Sequence, residues 1–259
     1  MELFEQPPAI SAKLVPACLR QGAGIHNLKK GLIMLNQINI SNELKIEAEK
    51  RGVKNLLEHY YLLLNDMKAV DIPLFNISSN DLQDAKEGIK KGRYFFKTIK
   101  LPFDPHGKED AFRKAFYINF AKGLNGFEDV VNKHWENSFC PVCGSLPSLG
   151  VLGEEKEGSM SLVCSLCETQ WGFRRLYCSS CGNDNQEDLG YLYSETDEGY
   201  RVNYCNKCKL YLKIVDVRKK GNVYSYPIED ILTLPLDMLA QEKGYKRLAP
   251  NPLGMVMVK

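Results

Sequence analysis

The sequence lacks the features that mark several large classes of protein. No stretch reaches the 18 or more apolar residues that a membrane-spanning helix needs. The first ten residues hold two acids and two prolines, where a signal peptide has a basic start and an apolar run. We find no glycine-rich phosphate loop, no Ser/His/Asp arrangement and no paired carboxylates in a catalytic context. These absences predict a cytoplasmic protein that is not an enzyme and has no membrane partner.

An excess of charge of one sign is also missing. The 259 residues carry a formal net charge of +2, and residues 140–220 hold 10 Lys/Arg against 11 Asp/Glu. A phosphate backbone attracts a strongly basic surface, so nucleic acid is a disfavoured partner. Tyrosines in the segment Leu189–Tyr204 could nevertheless stack on bases. A nucleic-acid-binding zinc-ribbon protein is therefore kept as an alternative interpretation.

The most informative feature present is a set of closely spaced cysteines. Eight of the nine cysteines form four C-x-x-C pairs within 69 consecutive residues. The pairs are Cys140/Cys143, Cys164/Cys167, Cys178/Cys181 and Cys205/Cys208. Two pairs about twenty residues apart are typical of a four-thiolate metal site. The pattern predicts that these eight cysteines bind two metal ions.

The residues after each pair bear on how the pairs combine. Gly144 and Gly182 follow the first and third pairs, whereas Glu168 and Lys209 follow the second and fourth. Glycine readily adopts the positive φ that a C-x-x-C turn often needs after its second cysteine. The alternation favours two tandem sites, but an interleaved arrangement, the first pair with the third and the second with the fourth, stays open.

The identity of the metal is a separate question, because four sulfur ligands suit iron as well as zinc. They leave no open coordination position, so structural or electron-transfer roles are expected rather than hydrolysis.

The first half has helical periodicity and predicts an α-helical domain over residues 1–135. Apolar residues at intervals of three and four predict a helix from Asn42 to about Met67, capped by Ser41 or Asn42. A second helix is expected after Ser78–Asp81, and a third over Ala111–Leu124. Residues before 37 are also predicted to be helical. The domain boundary is expected within Asn125–Ser138.

The second half predicts two small β modules, over residues 136–175 and 176–220. Leu146–Leu152 with Ser159–Val163, and Leu189–Tyr193 with Tyr200–Tyr204, have the patterns of β-hairpins. Metal binding, at roughly 10–16 kcal/mol, would supply the folding energy of such small units. Ile228–Gly244 predicts one or two short helices, broken at Pro235, within a tail over 221–259 that packs on the modules. The expected fold class is α+β, with an N-terminal helical domain, two tandem rubredoxin-like or zinc-ribbon modules and a short helical C-terminal segment.

Several motifs together resemble those of the formate dehydrogenase accessory protein family, FdhE. They are CPVCGSLP, SLVCSLCETQW, CSSCG, NYCNKCKLYLKIVD and LDMLAQEKGYKRLAPNP. The resemblance runs from Cys140 to the C-terminus. It implies a cytoplasmic, non-catalytic maturation factor that binds the catalytic subunit of formate dehydrogenase, with two rubredoxin-like modules that can hold iron. Carried over by position, the eight paired cysteines are the metal ligands. Gln170 stands where relatives often carry an acid, and Asn206 and Lys207 make the last pair more basic than expected.

The expected client-binding surface is a cleft between the helical domain and the modules. Trp171, Arg174, Arg175 and Tyr245 are expected near it. A rubredoxin-like redox protein that acts on the client is a further alternative, and the sequence leaves a homodimer open.

Overall fold

The computed structural model describes residues 40–72, 77–99, 101, 103–124, 127–153, 160–194, 197–220 and 223–255. The helix expected before residue 37 lies outside these ranges, as does Cys18. Within them, no helix is both long and apolar enough to cross a membrane.

Six helices precede the first cysteine pair in the described chain. They are α1 (Asn42–Lys50), α2 (Lys54–Ala69), α3 (Ser79–Lys90), α4 (Phe95–Thr98), α5 (Asp110–Gly123) and α6 (Glu128–His134). The predicted caps are confirmed: Ser41 Oγ accepts from the Leu44 N–H at 3.2 Å, and Ser78 forms a capping box with Asp81. Helix α6 lies where the sequence predicted a boundary segment, and it buries Val131 in the core.

The prediction of one helix from Asn42 to Met67 was wrong. The chain breaks at Gly52, which has a φ of +70°, and α2 starts again at Lys54. The Val53 N–H still reaches the Ala48 carbonyl at 2.9 Å, so the two helices meet at a tight corner. A glycine with positive φ commonly ends a helix, which explains the break.

The seven strands of the described chain form one mixed sheet. They are β1 (Pro147–Leu152), β2 (Met160–Cys164), β3 (Gln170–Phe173), β4 (Leu189–Tyr193), β5 (Tyr200–Cys205), β6 (Leu210–Asp216) and β7 (Lys246–Arg247). The order is β3-β2-β1-β6-β5-β4, with β7 beside β6. Both predicted hairpins are present as antiparallel pairs, β1 with β2 and β4 with β5. A parallel pairing of β1 with β6, with Gly150 opposite Ile214, joins the two halves into a single sheet.

Two short helices lie between β6 and β7, and the sequence predicted them. Helix α7 spans Tyr226–Leu232 and α8 spans Leu234–Glu242, with Pro235 in the first turn of α8. Proline is well tolerated there because the first N–H groups of a helix have no partner within it. Helix α8 packs Leu236 and Ala240 on the sheet.

The core lies mainly where helices α3–α6 meet the sheet. Buried residues of these helices form one cluster with strand residues and with the first four paired cysteines. The predicted fold class is confirmed: helices come first, then two four-cysteine clusters on a sheet, then short helices. The domain limits 1–135, 136–175, 176–220 and 221–259 stay a prediction.

Candidate metal centres

The eight paired cysteines form two separate clusters. Cys140, Cys143, Cys164 and Cys167 make up the first cluster, and Cys178, Cys181, Cys205 and Cys208 the second. Within each, the four sulfurs lie within 4.8 Å of one another. The pairs therefore combine in tandem order.

The sulfur–sulfur distances are those of a tetrahedral thiolate site. Cys140 Sγ lies 3.5 Å from Cys167 Sγ, and Cys143 Sγ lies 3.4 Å from Cys164 Sγ. In the second cluster Cys178 Sγ lies 3.7 Å from Cys208 Sγ. A tetrahedron with metal–sulfur bonds of about 2.3 Å has edges of about 3.8 Å. The clusters match that size and are too wide for a disulfide, whose S–S bond is about 2.05 Å.

Backbone N–H groups of each C-x-x-C turn point at its first sulfur. The Val142 N–H lies 3.4 Å from Cys140 Sγ, and the Leu166 N–H lies 3.4 Å from Cys164 Sγ. The Ser180 N–H is placed in the same way, 3.4 Å from Cys178 Sγ. Such donors stabilise a thiolate, which is the form that binds metal.

All four turns place a residue with positive φ after the second cysteine. Gly144 and Gly182 have φ values of +77° and +72°, as the sequence predicted. Glu168 and Lys209 also have positive φ, +61° and +58°, so the distinction drawn from the sequence between two glycine turns and two ordinary turns was wrong. A side chain in this conformation costs about 1–2 kcal/mol. At Glu168 and Lys209, the geometry of the C-x-x-C turn therefore imposes a positive φ that residues other than glycine rarely adopt.

The first cluster is buried in the main core. All four cysteines are buried, among side chains from α3, α4, α5 and α6. The start of α4 bonds directly to the first turn: the Phe95 N–H donates to the Pro141 carbonyl at 2.8 Å, and the Phe96 N–H to the Val142 carbonyl at 3.1 Å. The sequence did not predict these contacts, because α4 has only four residues and is too short to show helical periodicity.

Burial controls the protonation of the cysteines in the first cluster. Burial is the largest influence on the Cys140 and Cys164 thiols and raises the pKa of both well above the ordinary value. Burial acts in the same direction on Cys143, but hydrogen bonds from the other cysteines hold its pKa well below the ordinary value. Four thiolates cannot share a dry site without compensating charge. A divalent metal would supply that charge, and the set of four sulfur donors fits one.

The second cluster lies at the surface. Cys181 is exposed and Cys208 is half-buried. Burial raises the pKa of the Cys178 thiol to about 12. For Cys205 burial also acts to raise the pKa, but N–H groups of Cys208 and Lys207 outweigh it and lower the pKa to about 7. The two clusters thus share a geometry and differ in their access to solvent.

The other residues expected at the functional surface have different environments. Trp171 is only 1% exposed and its Nε1–H donates to the Asn137 carbonyl, so it packs in the core. Arg174 is exposed and pairs with Glu136 at 2.9 Å. Tyr245 stacks on Tyr204 with ring centroids 4.4 Å apart. Neither cluster includes a histidine from the described ranges.

A wide cleft opens beside this core, between helices α5 and α6 and the first module. This helix–sheet cleft encloses about 840 Å³ and is lined by Leu124, Phe127, Val142, Trp171 and Tyr224, among others. Glu168 also lines it; burial raises the pKa of this carboxyl, and the charges of Lys122 and Lys114 oppose the shift.

Substitution of Gly144 by alanine tests how the first turn is packed. A Cβ at this position would lie 2.7–2.9 Å from ring atoms of Tyr94, and φ is +77°. We expect Gly144→Ala to lose more stability than the 1–2 kcal/mol or so that positive φ alone costs, and to retain metal less well. Urea unfolding of the metal-loaded chain measures the loss. The matched control is Gly52→Ala, whose φ is +70° and whose Cβ would meet no described atom within 4 Å. Equal losses in both variants would show that the contact with Tyr94 is not restrictive.

Comparison with known proteins agrees with this arrangement of sites. The family model "FdhE, central domain" matches residues 139–175, and "FdhE, C-terminal domain" matches residues 176–253. A protein FdhE homolog of Aquifex aeolicus is 30% identical over 233 residues, which cover 86% of this chain and 80% of the relative. A homolog of Stutzerimonas stutzeri is 37% identical over 123 residues, 46% of this chain and 39% of the relative.

The fold has a counterpart among solved structures. The crystal structure of the FdhE protein from Pseudomonas aeruginosa matches with a TM-score of 0.61 and 21% identity, over 81% of this chain and 92% of that chain. The likeness shows a shared fold, while the Aquifex relative shows shared ancestry over most of the length. The chain therefore belongs to the FdhE family.

Proposed function

We propose that this protein is a cytoplasmic, non-catalytic accessory factor for the maturation of formate dehydrogenase, and that it binds the catalytic subunit of that enzyme. The observation that carries the proposal is the pair of four-cysteine clusters in a chain of the FdhE family. A metal with four cysteine ligands has no free position for substrate or water, so its role is to hold the fold or to transfer an electron. Such a chain is suited to binding another protein.

The eight paired cysteines are the proposed ligands of two metal ions, either iron or zinc. Tetrahedral sulfur sites accept both. Each module has too little core of its own to be stable, and the bound ion would supply that stability.

The helix–sheet cleft is the proposed contact surface for the client. Its walls combine buried aromatic residues with exposed polar groups at the mouth, including Lys122, Asn132 and Gln170. Clefts of this kind, apolar inside and polar at the rim, are common binding surfaces. Glu168 faces the cleft one residue after Cys167, so a client seated there would lie next to the first metal.

Anaerobic capture of the tagged full-length chain from its own cells tests the proposal. We expect the catalytic subunit of formate dehydrogenase to co-purify. The double variant Lys122→Glu/Gln170→Arg reverses one charge at the cleft mouth and adds another. It should reduce recovery of the client at least tenfold, a loss typical of disrupted interfaces. The recovery is measured by immunoblotting against the client and is normalised to the amount of captured chain.

A matched variant separates the cleft from the rest of the surface. Lys90→Glu with Gln83→Arg makes the same changes on α3, outside the cleft, and should leave recovery unchanged. Equal recovery with the cleft variant and the parent would exclude the cleft as the contact. Recovery of ribosomal proteins or nucleic acid in place of formate dehydrogenase would contradict the proposed function itself.

Exposure of the second cluster supports a redox role beside the binding role. The exposed Cys181 would bring a bound iron close to a partner, and short distance favours electron transfer. Metal analysis of protein purified anaerobically from iron-replete cells is the test. Zinc alone at both sites would exclude this redox role and leave the accessory role intact.

A further inference from the structure

A second cleft lies on the sheet beside the second cluster, and none of the residues that line it belongs to a helix. We call it the Arg201 cleft; it encloses about 410 Å³. Its lining includes Arg175, Tyr191, Arg201, Asn203, Leu212 and Ile214. Strand register places several of these on one face, because Arg201 lies opposite Ile214, and Asn203 lies opposite both Tyr191 and Leu212. A volume of this size is typical of a small-ligand site.

Arg201 lies near another positive charge and lacks an ion-pair partner within the described chain. Its Nε–H is buried and has no hydrogen-bond partner, and no described carboxylate forms an ion pair with it. Its guanidinium lies over the Tyr191 ring, with 5.6 Å from Cζ to the centroid. Burial, and next the nearby charge of Arg175, lower the pKa of Arg201. A half-buried cation in this state is costly unless an anion binds beside it.

The acidic group with the largest electrostatic effect on Arg201 is Asp216, and it is already bonded to another side chain. Asp216 lies on the same strand face as Ile214, two positions farther along β6. Both of its carboxylate oxygens accept from Arg218, from Nε at 2.7 Å and from Nη2 at 2.6 Å. Arg218 therefore occupies both oxygens of Asp216, so Asp216 attracts Arg201 through its charge alone and not through a hydrogen bond.

The lining around the two arginines combines an apolar floor and aromatic rings with polar residues such as Ser179 and Gln186. Met160, Leu212 and Ile214 form the floor, and all three are buried. Tyr191 and Tyr193 stand at the open edge strand, 60% and 58% exposed, with ring centroids 6.0 Å apart. A planar guanidinium binds a carboxylate in two parallel hydrogen bonds, and tyrosine rings pack on flat apolar groups.

We propose that the Arg201 cleft binds a carboxylate attached to an aromatic or other apolar group. Arg201 forms the central ion pair, Arg175 adds charge at the rim, and Asn203 supplies a further amide donor. The carboxylate belongs either to a free small molecule or to an acidic residue of a bound polypeptide. This site is separate from the helix–sheet cleft and does not depend on formate dehydrogenase being the client.

NMR of the arginine Nε–H groups in the full-length, zinc-loaded chain gives a direct test. Sodium benzoate is the probe and benzamide its neutral counterpart. We expect benzoate to shift the Arg201 Nε–H signal, assigned by its loss in Arg201→Lys, with a dissociation constant on the order of 1 mM. Benzamide at the same concentration should leave the signal in place. If benzoate shifts none of the arginine Nε–H signals of the parent protein, the proposal is overturned, and this outcome needs no assignment of the signals.

Variants test the assignment to particular residues. Arg201→Lys keeps the charge but cannot form the two parallel bonds, so benzoate affinity should fall about tenfold. Because this variant lacks the Arg201 signal, its affinity is measured from the ring-proton signals of benzoate. Arg175→Gln should lower the affinity less. Arg113→Gln is the control, because Arg113 lies on α5 and pairs there with Asp110. An equal loss with Arg113→Gln, or none with Arg201→Lys, would contradict the assignment.

Two further probes identify the source of the carboxylate. One is the peptide acetyl-Ala-Phe-Glu-Phe-Ala-amide, with the glutamine version as its control. Affinity at least tenfold above that of benzoate, lost with glutamine, assigns the site to a polypeptide; equal or weaker affinity assigns it to a free carboxylate. The other is a single-stranded ten-uridine RNA. If the RNA displaces benzoate and its affinity falls steeply with salt concentration, the cleft binds phosphate groups and the carboxylate assignment is overturned.

Discussion

Substitution of Cys164 by serine is expected to remove one of two metal ions per chain and to unfold the helices packed on the first cluster. Cys164 is 2% exposed and belongs to the same buried cluster as side chains from α3 to α6. A structural zinc site contributes about 10–16 kcal/mol to folding, comparable with the whole stability of a domain. Its loss would also leave buried thiols without their counter-charge. The effect should therefore extend well beyond the metal site.

The two tryptophans make this expectation measurable. Trp135 and Trp171 are the sole tryptophans of the chain, and both belong to the core cluster that contains the first site. Metal analysis should fall from two ions per chain to one in Cys164→Ser. Tryptophan emission should shift to the red and near-ultraviolet circular dichroism should weaken, because both indole rings become solvated.

The second cluster provides the matched control. Cys208→Ser should also lower the metal content to one ion, but with native tryptophan emission, because Cys208 is half-buried at the surface. Cys18→Ser should leave two ions bound, since Cys18 belongs to none of the C-x-x-C pairs. A chelator should remove the accessible second ion first, before any change in emission. Identical emission changes in Cys164→Ser and Cys208→Ser would contradict the assignment of the first site to the main core.

Much of the site could be predicted from the sequence because its constraints are local. Two cysteines three residues apart place both sulfurs on one turn, and hairpins bring successive turns together. The caps at Ser41 and Ser78 were predicted for the same reason, since a cap bonds to N–H groups two or three residues away.

The features that the sequence did not predict depend on contacts between distant segments, or on a turn geometry that overrides the backbone preference of the residue type. The parallel pairing of β1 with β6 joins segments about sixty residues apart, and it has no signature in either strand. The positive φ of Glu168 and Lys209 contradicts residue preference, because the turn around the sulfurs requires it. The start of α4 on the first turn is invisible locally, since Phe95 and Phe96 donate to carbonyls about 46 residues later in the chain.

The C-terminal segment is held to the sheet by a buried group of charges that sequence periodicity could not reveal. Lys213 on β6 lies 2.6 Å from carboxylate oxygens of both Asp230 and Asp237. Arg247 on β7 pairs with the same two acids, at 2.5 and 2.8 Å, and Tyr211 donates to Asp237 at 2.7 Å. Burial opposes ionisation of Asp230, but Arg247 and Lys213 outweigh it and lower its pKa. Two cations and two anions balance in a space closed to water.

Asp237→Leu should therefore be the most destabilising substitution outside the metal sites. It leaves two buried cations with one carboxylate, and removing one member of a buried ion pair costs about 3–5 kcal/mol. Urea unfolding of the metal-loaded chain, followed by circular dichroism, measures the loss. Glu87→Gln, which breaks an exposed pair with Lys90, should change the midpoint little.

The double variant Lys213→Met/Asp237→Leu distinguishes lost charge balance from lost packing. It removes one cation with one anion and leaves Arg247 paired with Asp230, so it should recover much of the stability that Asp237→Leu loses. Buried ion pairs replaced by apolar residues of similar volume are often neutral, because the charges no longer have to be dehydrated. A double variant that loses as much free energy of unfolding as the sum of the losses in the two single variants would show that the charges act independently. The position of α7 and α8 on the sheet would then depend on apolar contacts such as Leu236 and Ala240.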